Sequence, residues 1–171
     1  FYSFYFKNIK YLDIFCLSIL FCYRIIYGGI LGETIISIYL LFFSLLFFIS
    51  LALSKRLNEV QNIRNEKILS NIGRPYKLND SKNIFYLTVI SNLLSIFIFL
   101  NYFFSEQFKK LYEMNYLVFI AIFLLFLWLL RMNLYSNKGY LDDDPIIYAI
   151  KDKISYVFGL IIIIMFYLSA L

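Results

Sequence analysis

The chain has 171 residues, 62% of them hydrophobic and 22% aromatic, with a net charge of +5 at neutral pH. A water-soluble domain of this size has no interior large enough for so much Leu, Ile and Phe, so the composition excludes one and points to an integral membrane protein in a lipid bilayer. Over such a chain the charge is an orientation signal and not a nucleic-acid footprint. The absence of histidine removes the commonest acid–base residue and metal ligand, leaving hard cations on carboxylates, phosphates and water as the metal chemistry open to it.

Residues 1–10 are aromatic with Lys7 and Lys10, which suits a membrane interface. The first apolar run, about Leu12–Leu31, holds Asp13 near its start and Arg24 in mid-span. These two lie eleven positions apart, about 20° from each other on the helix wheel and roughly 16 Å apart along the axis. They cannot pair directly but can line one cavity. The alternative is that Arg24 reaches back to the far interface beside the glycine-rich turn Gly28–Thr34. Cys16 and Cys22 fall in the same run on different faces, which argues against a disulfide.

The second run, Ile35–Leu53, carries no charge at all, and then Ser54-Lys55-Arg56-Leu57-Asn58-Glu59 arrives. A crossing helix needs roughly 20 apolar residues, so this cluster should sit where the helix leaves the hydrocarbon. Lys55 and Glu59, four apart, share a helical face. The third run, Ile84–Phe104, has Thr88, Ser91, Asn92 and Ser95 at helical spacing, as expected of residues that glue helices together. The fourth, Tyr116–Leu130, is short and is expected to extend to either side. Asp144-Pro145 reads as an N-cap and first-turn proline, and a fifth run follows at Ile154–Leu171. The expected fold is therefore all-α, a multi-pass bundle of five transmembrane helices.

Charge bias orients it. If the spans alternate, thirteen Lys and Arg fall on one side, Lys109 and Lys110 on the other, and Arg24 stays within the membrane. The positive-inside rule makes the first side cytoplasmic, in a cell (inner) membrane. That side collects Lys55, Arg56, Glu59, Arg74, Lys138 and Asp142-Asp143-Asp144. Two readings stay open here. Arg offers a fork and Lys a point charge for phosphate groups, with carboxylates available to a bridging divalent cation. Equally, juxtamembrane Lys and Arg set topology and touch lipid headgroups, and three aspartates form a solvated loop.

Taken in order, the motifs resemble the C-terminal part of the UbiA prenyltransferase superfamily. Leu12-Asp13-Ile14 followed by Tyr23-Arg24-Ile25-Ile26-Tyr27-Gly28-Gly29 is similar to that family's Asp-then-Leu-Arg-x-x-x-Gly span. Ser54-Lys55-Arg56-Leu57-Asn58-Glu59 is similar to the Lys-Arg-x-x-Glu form of its second motif, found in the branch of decaprenyl-phosphate phosphoribosyltransferases. Gly73-Arg74-Pro75-Tyr76, Leu130-Arg131, Lys138-Gly139, Asp143-Asp144-Pro145 and Ala149-x-x-Asp152-x-x-Ser155 resemble a related bacterial group whose membrane domain often follows a haloacid-dehalogenase-like hydrolase domain.

The resemblance implies a nine-helix fold of which residues 1–171 supply the last five helices, and a cytoplasm-facing polar pocket opening sideways to lipid. It implies a polyprenyl phosphate or diphosphate held by Mg2+ and basic residues. The family's first Asp-rich motif is not among these residues, so the main metal ligands are expected upstream of Phe1 and the fragment alone is expected to be inactive. In this reading Lys55 and Arg56 bind phosphate, and Glu59 orients Lys55 or coordinates metal-bound water. Asp13, Arg24, Arg74 and Lys138 contribute to substrate binding. The expected activity is transfer of phosphoribose from phosphoribosyl diphosphate to polyprenyl phosphate. The alternatives are prenylation of an aromatic acceptor, as in quinone biosynthesis, and a non-catalytic membrane fragment.

Overall fold

The computed structural model describes residues 9–34, 36–64, 76–105, 108, 115–141 and 144–170. Its elements are α1 (Leu12–Leu31), α2 (Ile38–Arg64), a 3-10 turn at Leu78–Asp80 leading into α3 (Ser81–Phe103), α4 (Asn115–Lys138), α5 (Pro145–Lys151) and α6 (Lys153–Ser169). Four of these, α1, α2, α3 with its lead-in turn, and α4, are long and apolar enough to cross a membrane. Among the described residues the result is an all-helical membrane bundle.

Two spans differ from expectation and one meets it in an informative way. The second does not stop at the charged cluster: α2 runs on for 27 residues through Lys55, Arg56 and Glu59 to Arg64. It meets no proline or glycine, and its polar residues find partners on neighbouring helices, so nothing terminates it. The fourth extends to both sides, as its length required, reaching Lys138. The fifth is the departure. α6 has 17 residues, about 26 Å at the helical rise against roughly 30 Å of hydrocarbon. Asp152 sets its start, leaving the helix with ψ 114 and accepting the Ser155 N–H as an N-cap.

α2 is the central element, packed against α1, α3, α4 and α5. One apolar cluster, Ile14, Leu53, Leu57, Val60 and Ile84, joins the start of α1, the end of α2 and the start of α3. A second, with Ile96, Val118, Ile122 and Leu129 among its members, joins α3 to α4 nearer the other end. The polar stripe on α3 faces inward, with Thr88, Ser91, Asn92 and Ser95 all buried. The Thr88 and Ser95 hydroxyls donate to carbonyls of their own helix, at Ile84 and Asn92. That is the behaviour of small residues allowing close helix approach.

Candidate functional site

Alternating helices bring the start of α1, the end of α2, the approach to α3 and the end of α4 to one end of the bundle. The side chains there form a connected network. Arg56, 2% exposed, is its centre. Its Nε donates to Asp13 Oδ2 at 2.8 Å, and its Nη1 donates to both carboxylate oxygens of Glu59 at 2.7 and 2.8 Å. The other Asp13 oxygen accepts the Tyr76 hydroxyl at 2.7 Å, and Tyr76 Oη in turn accepts the Tyr11 backbone N–H at 2.8 Å. Tyr11 has φ 65, a left-handed conformation uncommon outside glycine, and that bond to Tyr76 helps to hold it. Burial and the Asp13 carboxylate push the Tyr76 phenol above its ordinary range, so it stays a donor.

Lys55 is on the other side of α2. Its Nζ lies 2.6 Å from Asp144 Oδ2, with the lysine side chain 28% exposed. Asp144 also accepts the Ile146 N–H as the N-cap of α5, with Pro145 at the first helical position, as the sequence predicted. Beneath this pair is a cavity of about 140 Å³, lined by Leu17 and Phe21 of α1, Phe48 and Leu51 of α2, and Ile146. An ion pair thus stands at the rim of an apolar space.

A third set of contacts fixes the loop that carries Asp144. Ser54, Asn58 and Gln61, at positions i, i+4 and i+7, form a polar ridge on α2. Asn58 grips the Leu141 peptide at two points, donating from Nδ2 to its carbonyl at 2.9 Å and accepting its N–H on Oδ1 at 3.2 Å. Gln61 donates to Asn137 at 3.1 Å, and the Ser136 hydroxyl donates to the Ser54 carbonyl. Arg131 closes the outer junction with Asp152, Nη1 and Nη2 lying 2.6 and 3.1 Å from its two oxygens, and it stacks over Tyr135. The arginine hydrogen bonds, with the Ser155 hydroxyl and N–H, hold the Asp152 carboxyl well below the usual carboxylate range against the opposing effect of burial.

Of the residues named from sequence, Asp13, Lys55, Arg56 and Glu59 gather at this end. The pairing differs from the expectation for Glu59: it is turned to Arg56, and it is Asp144 that holds Lys55. Spacing put Lys55 and Glu59 on one face, yet Arg56, one turn back and desolvated, competes better for the carboxylate. Arg56 itself is a buried cross-brace between two carboxylates. Lys138 is exposed at the end of α4. Arg74, Asp142 and Asp143 lie outside the described residues. The cavity expected between Asp13 and Arg24 does not form among the described residues: Asp13 is fully buried against α2, whereas Arg24 is exposed with its guanidinium over the Phe21 ring. The helix wheel was sound, but α2 and Tyr76 cover only the Asp13 end of that face.

Tyr76, Asn58 and Gln61 are site-building residues that side-chain charge did not single out. The signal for Asn58 and Gln61 was their i, i+4, i+7 spacing with Ser54 at the end of α2. Nothing local announced Tyr76 as a partner of Asp13, 63 positions away.

The carboxylates do not fit a Mg2+ site by themselves. Asp13 and Glu59 are spent on Arg56, Asp144 on Lys55, and no group of three potential ligands converges among the described residues.

No family model matches the chain, and no solved structure matches it significantly. It is similar to the uncharacterized protein y4nM of Sinorhizobium fredii, 34% identical over 162 residues that make up 94% of this chain and 31% of that protein. It is also similar to the nodulation protein NoeC of Azorhizobium caulinodans, 28% identical over 151 residues, or 85% of this chain and 48% of that protein. The chain thus spans 31% and 48% of the length of these two curated relatives.

Proposed function

We propose that this region belongs to a membrane-embedded transferase that handles a polyprenyl phosphate at the cytoplasmic face of the bilayer. The observation that carries the reading is the partly exposed Lys55 ammonium at the rim of an apolar cavity. An amphiphile with a phosphate head and a hydrocarbon tail fits that pairing of surfaces, and neither a free sugar phosphate nor a simple lipid-facing lysine requires it. The charge bias towards this end supports the cytoplasmic assignment.

The preferred reaction is attack by a polyprenyl phosphate oxygen on C1 of phosphoribosyl diphosphate. A C1–O bond forms to the lipid phosphate, the C1–O bond to diphosphate breaks, and diphosphate leaves with the electron pair. Negative charge grows on the leaving group, and a preorganised cation stabilises it more than it does the ground state. Lys55 is the group for direct contact with phosphate, after exchanging Asp144 for it. Arg56 acts one step back: it locks Asp13 and Glu59 and so fixes the turn of α2 that presents Lys55. Mg2+, where the reaction uses it, needs ligands beyond the carboxylates described here, and the roles of Lys55 and Arg56 do not depend on it.

The test uses membranes containing the full-length protein, given labelled phosphoribosyl diphosphate with polyprenyl phosphate in one arm and labelled prenyl diphosphate with hydroxybenzoate in the other. Label should enter lipid in the first arm and fall about 100-fold in Lys55→Ala, the scale expected for losing one charge-stabilising group. Label in the second arm alone supports aromatic prenylation instead. Label in neither leaves the non-catalytic membrane reading standing.

A further inference from the structure

Arg24 has no ion-pair partner among the described residues, and its place on α1 makes that expensive. It lies seven residues from Leu31 and twelve from Leu12, inside an apolar span, on the face pointing away from the bundle. A guanidinium in hydrocarbon costs several kcal/mol unless it meets water, a headgroup or a counter-charge. The headgroup answer requires the side chain to extend towards the nearer end of the helix, at Leu31. It does the reverse. The guanidinium carbon sits 5.4 Å from the centre of the Phe21 ring, one turn towards the N-terminus and hence towards the middle of the bilayer.

The surface around it is built for contact. Leu20, Tyr23, Tyr27 and Leu31 are exposed, and the two tyrosine rings stack on each other at 6.5 Å. Gly28, one turn beyond Arg24 on the same face, has open space where a side chain would project. That allows another helix to approach the backbone closely. A second copy of this chain is a poor occupant, since it brings Arg24 against Arg24. The described carboxylates cannot serve either, because Asp13, Glu33, Glu59, Asp80, Asp144 and Asp152 all lie near helix ends or in connections.

We propose that the outward face of α1 docks a further membrane-spanning helix of the same polypeptide, one presenting an Asp or Glu at the depth of Arg24. The two curated relatives carry the matched region within chains two to three times as long, which supplies the source of such a helix. The proposal stands apart from the transferase reading: it concerns assembly of the bundle and needs no assumption about substrate.

The full-length protein in its own membrane tests it, with a photoreactive phenylalanine analogue placed at Leu20. Mass spectrometry of the crosslinked peptide should find an apolar segment from elsewhere in the same polypeptide, with a carboxylate within one turn of the attachment point. The crosslink should fall about threefold or more in Arg24→Leu, the scale of a polar helix–helix contact in a membrane, and persist in Arg24→Lys. Exchanging the two charges, with Arg24→Glu and the mapped carboxylate to Arg, should restore it. Lipid adducts alone would overturn the proposal in favour of headgroup contact. Attachment to a different protein, to a segment without a carboxylate, or with a yield indifferent to Arg24→Leu would overturn it as well.

Discussion

Arg56 and Arg131 both bind carboxylates, yet the regions around them are built on opposite plans. Arg56 is almost wholly buried, divides one guanidinium between two acids, and ties α1, α2 and the segment leading into α3 together through Asp13, Glu59 and Tyr76. Arg131 is partly exposed, spends its fork on Asp152 with a further bond to the Ser155 hydroxyl, and leans on Tyr135. A buried ion network is costly to assemble and more costly to break, because removing one member strands the others without water. A two-oxygen pair at a partly exposed junction is a staple that solvent can partly replace. The lesson is that the end of α2 is held to one arrangement, whereas the α4–α5–α6 junction is only fastened.

The sharpest way to break this contrast is Arg56→Met. It takes away the guanidinium that neutralises Asp13 and Glu59 in a desolvated site, and should cost about 3–5 kcal/mol in unfolding measured in detergent micelles. Adding Asp13→Asn should return part of the loss, because the neutral amide removes one stranded charge. Full additivity of the two changes would show that they do not share a network. Asn58→Ala comes next. It orphans both polar groups of the buried Leu141 peptide, so a loss of about 1–3 kcal/mol is expected, together with faster hydrogen exchange at the Leu141 amide.

The smallest effect is expected at the staple. The Asp152 carboxyl is held below its ordinary range, so its contribution is present above the unfolded value near pH 3.9 and is lost as pH falls below it. Thermal unfolding between pH 5 and 2.5 should therefore lose on the order of 1 kcal/mol more in the parent than in Asp152→Asn. An identical pH dependence in the two would remove Asp152 as its source.

Much of the architecture was written in hydropathy, because a span must be both long and apolar. The limits of α1 and α3 were legible to within a few residues, whereas α4 runs on past Leu130 to Lys138 and α2 carries a charged extension. That extension was hidden because Lys55 to Arg64 reads as the end of a span, and only the partners offered by α1, α4 and the Leu141 loop keep it helical. The site was legible in charge but not in pairing. Lys55 and Glu59 shared a face by spacing, but so did Arg56 and Glu59 at i, i+3, and the choice between them turned on Asp144, 89 positions from Lys55, which no local pattern encodes. Two fragments noted separately, Leu130-Arg131 and Asp152-x-x-Ser155, meet in one set of hydrogen bonds. Arg24 was marked as costly by sequence alone, and its neighbour over the ring of Phe21 gives the cost a direction.

The uninterrupted α2 has one more effect. Its 27 residues make a rod of about 40 Å, against a hydrocarbon layer of roughly 30 Å, with Lys55 about 26 Å from its first residue. The helix is in effect a depth gauge. It sets its cation towards the edge of such a layer, so in the proposed transfer a lipid-borne reactant would reach it by sliding sideways and a water-borne one by descending only to the boundary. Neither partner has to cross into the other's solvent.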